Sequence, residues 1–300
     1  MRITLIHNPA AGRQGADDAR KLVTFLKEHG YDVRYQSAKE EGWKKALKQP
    51  ADMIVVAGGD GTVAKVTRRM VGHGIPVGLL PSGTANNIAR SLGLLERPFE
   101  ELVRGWQDGR RVKLDVGVAK GPWGERYFVE GVGAGVFASL LANPAAESFK
   151  QQQNAVEKAL ERMKAHAEGS EPIELFARLD GKDISGRYLM LEALNLRYVG
   201  PNLHLASESQ PGDGTLDVIL VTEAERDRLL YYLAHWQENR DRLAVLPTLR
   251  GRKFELEWSG FPLHIDDKLK PSPKAKPKEI AGPVEARLDG DTVEFLVPVK

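Results

Sequence analysis

The first third of the chain alternates between two hydrophobic periods. Ile3-Thr4-Leu5-Ile6 is a short apolar run that ends at the polar His7-Asn8-Pro9, and it reads as a buried strand. From Asp17 to His29, residues Ala19, Leu22, Val23, Phe25 and Leu26 recur at helical spacing, and Gly30 stands where a helix ends. Tyr31 to Gln36 reads as a second strand, and Trp43 to Leu47 as part of a short helix. Met53-Ile54-Val55-Val56-Ala57 is almost purely apolar, the mark of a strand buried on both faces of a parallel sheet. A helix over Thr62 to His73 and a strand over Val77 to Leu80 follow. Strand and helix repeated in this order predict a parallel sheet covered by helices.

The pattern changes after about Val112. Leu114 to Ala119 and Arg126 to Val132 read as strands joined by the Gly121-Pro122-Trp123-Gly124 turn, and Ala155 to Ala167 as a helix. Further strands are predicted at Ile173 to Leu179, Arg187 to Leu194, Leu216 to Thr222, Phe254 to Trp258 and Val293 to Val297. Asp180-Gly181 and Asp289-Gly290 have the composition of hairpin turns. The expected architecture is α/β. A Rossmann-like parallel-sheet domain spans 1–112, and a mostly antiparallel β-sandwich domain spans 113–300, whose last strand can return to the first domain.

Composition narrows the function. At 300 residues, with 42% hydrophobic and 28% charged, the chain has material for two cores. Lys+Arg at 43 against Asp+Glu at 41 gives a net charge of +2, without the basic excess of a dedicated nucleic-acid binder. The absence of cysteine excludes disulfides, thiolate metal sites and thiol nucleophiles. Met1-Arg2 precedes only a brief apolar stretch, and no run approaches the ~18 residues that cross a bilayer. A soluble, cytoplasmic protein is expected, with any membrane contact at its surface. Five lysines (Lys268, Lys270, Lys274, Lys276 and Lys278) fall in a proline-bearing stretch. It reads as a solvated loop or as a contact for anionic headgroups.

The strongest local signal is Gly58-Gly59-Asp60-Gly61-Thr62, where a buried strand gives way to a helix. Glycines let the backbone approach a ligand, and a helix N-terminus offers unpaired N–H groups to an anion. Asp60 would repel phosphate, so a metal, a ribose hydroxyl or nearby amides suit it better. Asn8-Pro9-Ala10-Ala11-Gly12 and Pro81-Ser82-Gly83-Thr84-Ala85-Asn86-Asn87 follow two other strands and emerge at the same carboxyl edge, where open α/β sheets bind ligands. Neither a GxxxxGK[ST] nor a GxGxxG pattern is present. His264 and Asp266 share a strand face, but no third ligand at close spacing makes them a metal pair.

Together these loops resemble the diacylglycerol kinase catalytic family, which includes bacterial lipid kinases and sphingosine kinases. Leu114-Asp115-Val116-Gly117, Val132-Gly133-Ala134-Gly135 and Pro211-Gly212-Asp213-Gly214-Thr215-Leu216-Asp217-Val218 continue the likeness over nearly the whole chain. The resemblance implies an NAD kinase- and phosphofructokinase-like nucleotide domain followed by a lipid-substrate domain. It implies ATP contacts at Asn8, Ser37, Gly58, Gly59, Asp60, Gly61, Thr62, Gly83, Thr84 and Asn86. It also implies a structural Mg2+ held by the Asp213 carboxylate and the carbonyls of Leu216 and Val218. Asp266, in His264-Ile265-Asp266-Asp267-Lys268, matches the family's catalytic base, which would take a proton from a lipid hydroxyl in the cleft between the domains. The implied activity is transfer of the γ-phosphate of ATP to a diacylglycerol-like lipid at a membrane surface.

Ala64 and Lys65 stand where relatives carry Asn and Glu, Asp267-Lys268 where they carry Gly-Glu, and Asn87 where many carry Asp. Two other readings follow: a relative that binds nucleotide or lipid without turnover, and an NAD kinase-like enzyme with a soluble substrate.

Overall fold

A strand in which every residue is buried needs neighbours on both faces, and Met53–Gly58 is such a strand. The computed structural model describes residues 1–11, 19–142, 154–236 and 246–299. Gly12 and Asp17, both used in the sequence reading, lie outside them. In chain order the elements begin β1 Arg2–His7, α1 Ala19–Glu28, β2 Asp32–Ser37, α2 Trp43–Ala46, β3 Met53–Gly58, α3 Asp60–Met70, β4 Val77–Pro81, α4 Asn87–Ser91, α5 Phe99–Arg104 and β5 Arg110–Asp115. They continue β6 Gly117–Gly121, β7 Gly124–Phe128, β8 Gly131–Gly135, α6 Val136–Ala142, α7 Ala155–Gly169, β9 Ile173–Leu179, β10 Lys182–Asp183, β11 Gly186–Tyr188, β12 Met190–Leu194, β13 Tyr198–Val199 and β14 Leu203–His204. The remainder is β15 Leu216–Val221, α8 Arg226–Ala234, β16 Thr248–Gly251, β17 Lys253–Trp258, β18 Leu263–Ile265, β19 Lys268–Lys270, β20 Gly282–Arg287 and β21 Thr292–Val297.

Two compact units result, 1–116 with 291–300, and 117–290. In the first, the sheet order is β2-β1-β3-β4-β21-β5. Strands β2, β1, β3 and β4 are parallel, whereas β21 runs antiparallel to β5. The run from Leu114 to Ala119, expected as one strand, is two: β5 ends at Asp115 in this sheet, and β6 begins at Gly117 in another. The turn at Asp289-Gly290 joins no hairpin, because β20 and β21 belong to different sheets. The helix expected over Thr62 to His73 spans Asp60–Met70, ending before the left-handed glycines Gly72 and Gly74.

The second unit stacks two antiparallel sheets, one with the core order β10-β9-β17-β20-β6-β7 and one with the order β16-β15-β12-β8-β18-β19. Phe128, Leu175, Phe254, Leu256 and Trp258 of the first meet Val132, Leu191, Val218, Leu263 and Ile265 of the second. The far face of the second sheet is covered by α6, α7 and α8 through Phe137, Leu160, Met163, Leu229 and Leu233. That sheet is therefore buried on both sides, which is why β8 and β12 show no polar alternation while β9, covered on one side, does.

Phe295 of β21 is fully buried opposite Val112 and Val77, which makes a distant segment part of the first core. Phe295→Ala is expected to cost about 3–5 kcal/mol. Urea denaturation followed by a probe in the first unit checks this; a loss under about 1 kcal/mol would contradict it.

Candidate functional site

Three loops at the carboxyl edge of the parallel sheet are tied together inside the first unit. Gly59 ends the β3 turn in extended backbone and caps α3. A Cβ added there would lie 2.9 Å from the Cα of Gly83, and one added at Gly83 would come 2.8 Å from Asn86 Oδ1. Both positions are closed to any side chain. The Gly83 N–H donates to Asn86 Oδ1 (2.9 Å), and Asn86 Nδ2 returns a bond to the Gly83 carbonyl (2.8 Å). Asn86, in left-handed backbone at the start of α4, is thus spent on shaping its own loop. Asn8 joins from the β1 loop: its Nδ2 donates to Thr62 Oγ1 (3.1 Å), and its Oδ1 accepts from the Ala10 N–H (3.2 Å).

Asp60 occupies the first turn of α3, and its Oδ1 accepts from the Ile88 N–H of α4 (2.9 Å). Although the residue is partly exposed, its carboxylate is enclosed. Burial pushes its pKa above the usual carboxylate range, and the amides of Ile88, Asn87, Asp60 and Asn86 pull against that rise. Of the roles open to Asp60, the one visible is the bond to nearby amides. Ser37 ends β2 beside His7 and is buried, and its Oγ accepts from the Lys39 N–H (3.2 Å). Thr84 is exposed at the loop tip, and Gly61 lies in the first turn of α3. The sequence-derived nucleotide residues thus gather at one edge, with Asn86 and Asp60 as braces.

In the second unit Asp266 is the first of two residues turning β18 into β19. It is 4% exposed and sits at φ 51°, a left-handed conformation uncommon outside glycine. Its Oδ1 accepts from the N–H groups of Val129 (3.0 Å), Glu130 (2.8 Å) and Gly131 (3.4 Å). Its Oδ2 accepts from Val129 N–H at 3.2 Å. Three consecutive backbone amides thus converge on this one carboxylate and fix its orientation.

With this geometry in place, comparison with known proteins gives a single direction. The family model of the diacylglycerol kinase catalytic domain matches residues 2–119. Over 273 residues the chain is 24% identical to a diacylglycerol kinase of Mycobacterium tuberculosis, covering 88% of each. Over 240 residues it is 24% identical to a diacylglycerol kinase of Bacillus subtilis, covering 74% of each. A diacylglycerol kinase structure from Bacillus anthracis superposes with a TM-score of 0.70 at 18% identity, over 98% of this chain and 96% of that one, and shows a shared fold. These matches support a lipid kinase.

The kinase's departures can be placed. Ala64 is buried in α3, and Lys65 is exposed on it. Asn87 is buried at the start of α4. Lys268 donates to its neighbour Asp267 (2.8 Å) on the surface.

Asp213, Leu216 and Val218 do not fit a hard cation as they stand. Asp213 Oδ1 accepts from the Thr215 N–H (2.9 Å), and Oδ2 accepts from Arg250 Nη2 (2.6 Å). Leu220 N–H donates to the Pro247 carbonyl, so the backbone groups of Leu216 and Val218, of the same parity, face the β15–β16 ladder. Buried Asp217 lies 3.3 Å from Arg250 Nε, outside hydrogen-bond geometry, and burial pushes its pKa up to about 6 against the pull of Arg250. One guanidinium thus holds a carboxylate oxygen that a metal would need. Among the described residues no group of three or more metal-binding side chains is found.

Sequence reasoning missed Arg250, which carried no local signal. It also missed Glu192, whose signal was present: one charged residue inside the apolar run Met190-Leu191-Glu192-Ala193-Leu194.

Two outcomes are expected. Gly83→Ala should force the loops apart and weaken ATP binding about tenfold or more by calorimetry, while Gly169→Ala, whose Cβ meets nothing, should not. Arg250→Met should cost about 1–3 kcal/mol by leaving two acids facing each other. Millimolar magnesium should leave the melting temperature of the nucleotide-free wild type unchanged.

Proposed function

We propose that this kinase transfers the γ-phosphate of ATP to a hydroxyl of diacylglycerol or a related lipid, with Asp266 as general base. The observation that carries the reading is the backbone contact of Gly59 with Gly83, within a domain of the diacylglycerol kinase catalytic family. Amides of the Gly58–Thr62 and Gly83–Thr84 loops, with Asn8 and Thr62, take the phosphates. A magnesium ion travelling with the triphosphate would spread its charge. Asp266 accepts the hydroxyl proton as the lipid oxygen attacks the γ-phosphorus. One P–O bond forms, the bond to the β-phosphate oxygen breaks, and ADP leaves. Such transfer asks for positioning and charge stabilisation more than covalent help.

The lipid comes from a membrane, so part of the protein must meet one. No helix among the described residues is long and apolar enough to cross a bilayer; the proposed meeting place is the protein surface. The lysine-bearing stretch offers Lys268, Lys274, Lys276 and Lys278 in exposed positions. Lys270 lies over the Trp123 ring at 5.1 Å and is partly withdrawn.

Labelled ATP with magnesium and diacylglycerol in mixed micelles is expected to yield labelled lipid. Asp266→Asn should lower kcat about 10²–10⁴-fold with ATP affinity unchanged. Equal labelling by the variant would end the role of Asp266. ATP binding with no transfer to any lipid alcohol would favour the non-catalytic relative, and labelling of NAD the soluble-substrate enzyme. Binding to anionic vesicles should weaken as salt rises, because exposed charges are screened.

A further inference from the structure

The alternation Gly131-Val132-Gly133-Ala134-Gly135 in β8 turns only glycine toward the helices α6, α7 and α8. Val132 and Ala134 face the other sheet. On the helix side, Gly133 stands opposite Glu192 of β12 and opposite His264 of β18, so the three residues form a row across three strands. A Cβ at Gly133 would lie 2.6 Å from Glu192 Oε1 and closer still to Oε2. The bare middle of the row is what lets the Glu192 side chain cross β8. It reaches His264, with Oε2 2.6 Å from Nε2. Both side chains are 0% exposed.

The other ring nitrogen, Nδ1, lies 2.9 Å from the carbonyl oxygen of Asp266. Both nitrogens therefore face oxygen acceptors, which calls for two protons shared between ring and carboxylate. Burial pulls the His264 pKa down, but Glu192 and the Asp266 carbonyl outweigh it, and the net direction is up. The charge of Asp266 also acts to raise it, and Phe137 of α6 packs edge-on against the ring with centroids 4.8 Å apart. Glu192 Oε1 finds no hydrogen-bond partner among the described residues.

A buried ion pair is a poor stabiliser: well-packed apolar residues of similar volume usually do as well or better. Its position suggests another task. Asp266 sits in left-handed backbone that only surrounding bonds can hold. Its N–H donates to the Gly131 carbonyl (2.8 Å), its carboxylate is held by Val129 and Glu130, and its carbonyl is held by His264. We propose that Glu192 and His264, joined across Gly133, are positioning residues that lock the Asp266 turn and so aim its carboxylate. The dyad never touches substrate. This role rests on the reading of Asp266 as the base, while the structural coupling it requires does not.

The experiment uses the full-length protein and two independent readouts. In ¹⁵N-histidine spectra just above the ordinary histidine value of about 6.5, the wild-type His264 ring should carry protons on both nitrogens. Glu192→Gln should abolish that signature. In the same variant, exchange protection of the Val129 and Glu130 amides should fall about tenfold or more, with amides of the first unit unchanged. Lipid-kinase kcat should fall about tenfold or more with KM for ATP unchanged, and Glu192→Gln should cost little further in an Asp266→Asn background. Unchanged protection at Val129 and Glu130, or effects on log kcat that simply add, would overturn the proposal. If Glu192→Gln fails to fold, titrating the wild type upward until the ring deprotonates asks the same question of the two amides. If wild type phosphorylates no lipid, the proposed function falls, and the amide protection still decides whether the dyad holds the turn.

Discussion

Backbone meets backbone at Gly59 and Gly83, and the proposed nucleotide end of the first unit depends on that contact. Neither position has room for a methyl group, so the two loops approach by peptide groups alone. The benefit for an anion is direct. Peptide N–H groups are fixed in orientation, carry no titratable proton and belong to a sheet edge and a helix start that already bias the field toward negative charge. Side chains in this region serve the backbone more than the ligand. Asn86 closes its loop on Gly83, and Asp60 reaches Ile88, so α3 and α4 start from a shared brace.

Two aspartates are treated alike by the fold and put to different ends. Asp60 and Asp266 both accept bonds from backbone amides of another element, and both are thereby held in one orientation. At Asp60 the bond ties two helices together. At Asp266 the amides of Val129, Glu130 and Gly131 meet Oδ1, and that of Val129 also reaches Oδ2. A carboxylate offers about four acceptor sites, so holding an aspartate by amides does not by itself prevent it from receiving a proton. The orientation costs a left-handed backbone at a residue with a Cβ, which explains why so many bonds converge on that turn.

The parallel half of the first unit was legible because its signals are local. A fully apolar strand such as Met53–Gly58 and a glycine pair at its end announce both burial and a ligand edge. The second unit was read as antiparallel from alternation in strands such as Ile173–Leu179, which keep one face in water. What the pattern hid is non-local. Nothing in Thr292–Val297 says that it pairs with β5, and nothing at Val116 marks a change of sheet inside one apolar run. The candidate base was visible only as a motif. Its environment depends on Val129 and Glu130, more than 130 positions away, and no spacing rule links them.

The Arg250 contact changes what magnesium can mean for this enzyme. A guanidinium is a permanent charge on a tether, and its planar donors suit carboxylates. A divalent ion must instead be recruited from solution and needs several oxygens directed at one point. Asp213 has one oxygen on Arg250 and the other on an amide, and Leu216 and Val218 lie in a paired strand. The fold has thus met the electrostatic need of Asp213 with its own side chain, while buried Asp217 beside it keeps a raised pKa. A dependence of activity on magnesium then reports the nucleotide's charge, not the integrity of the second unit. The two can be separated because only the first should scale with nucleotide occupancy.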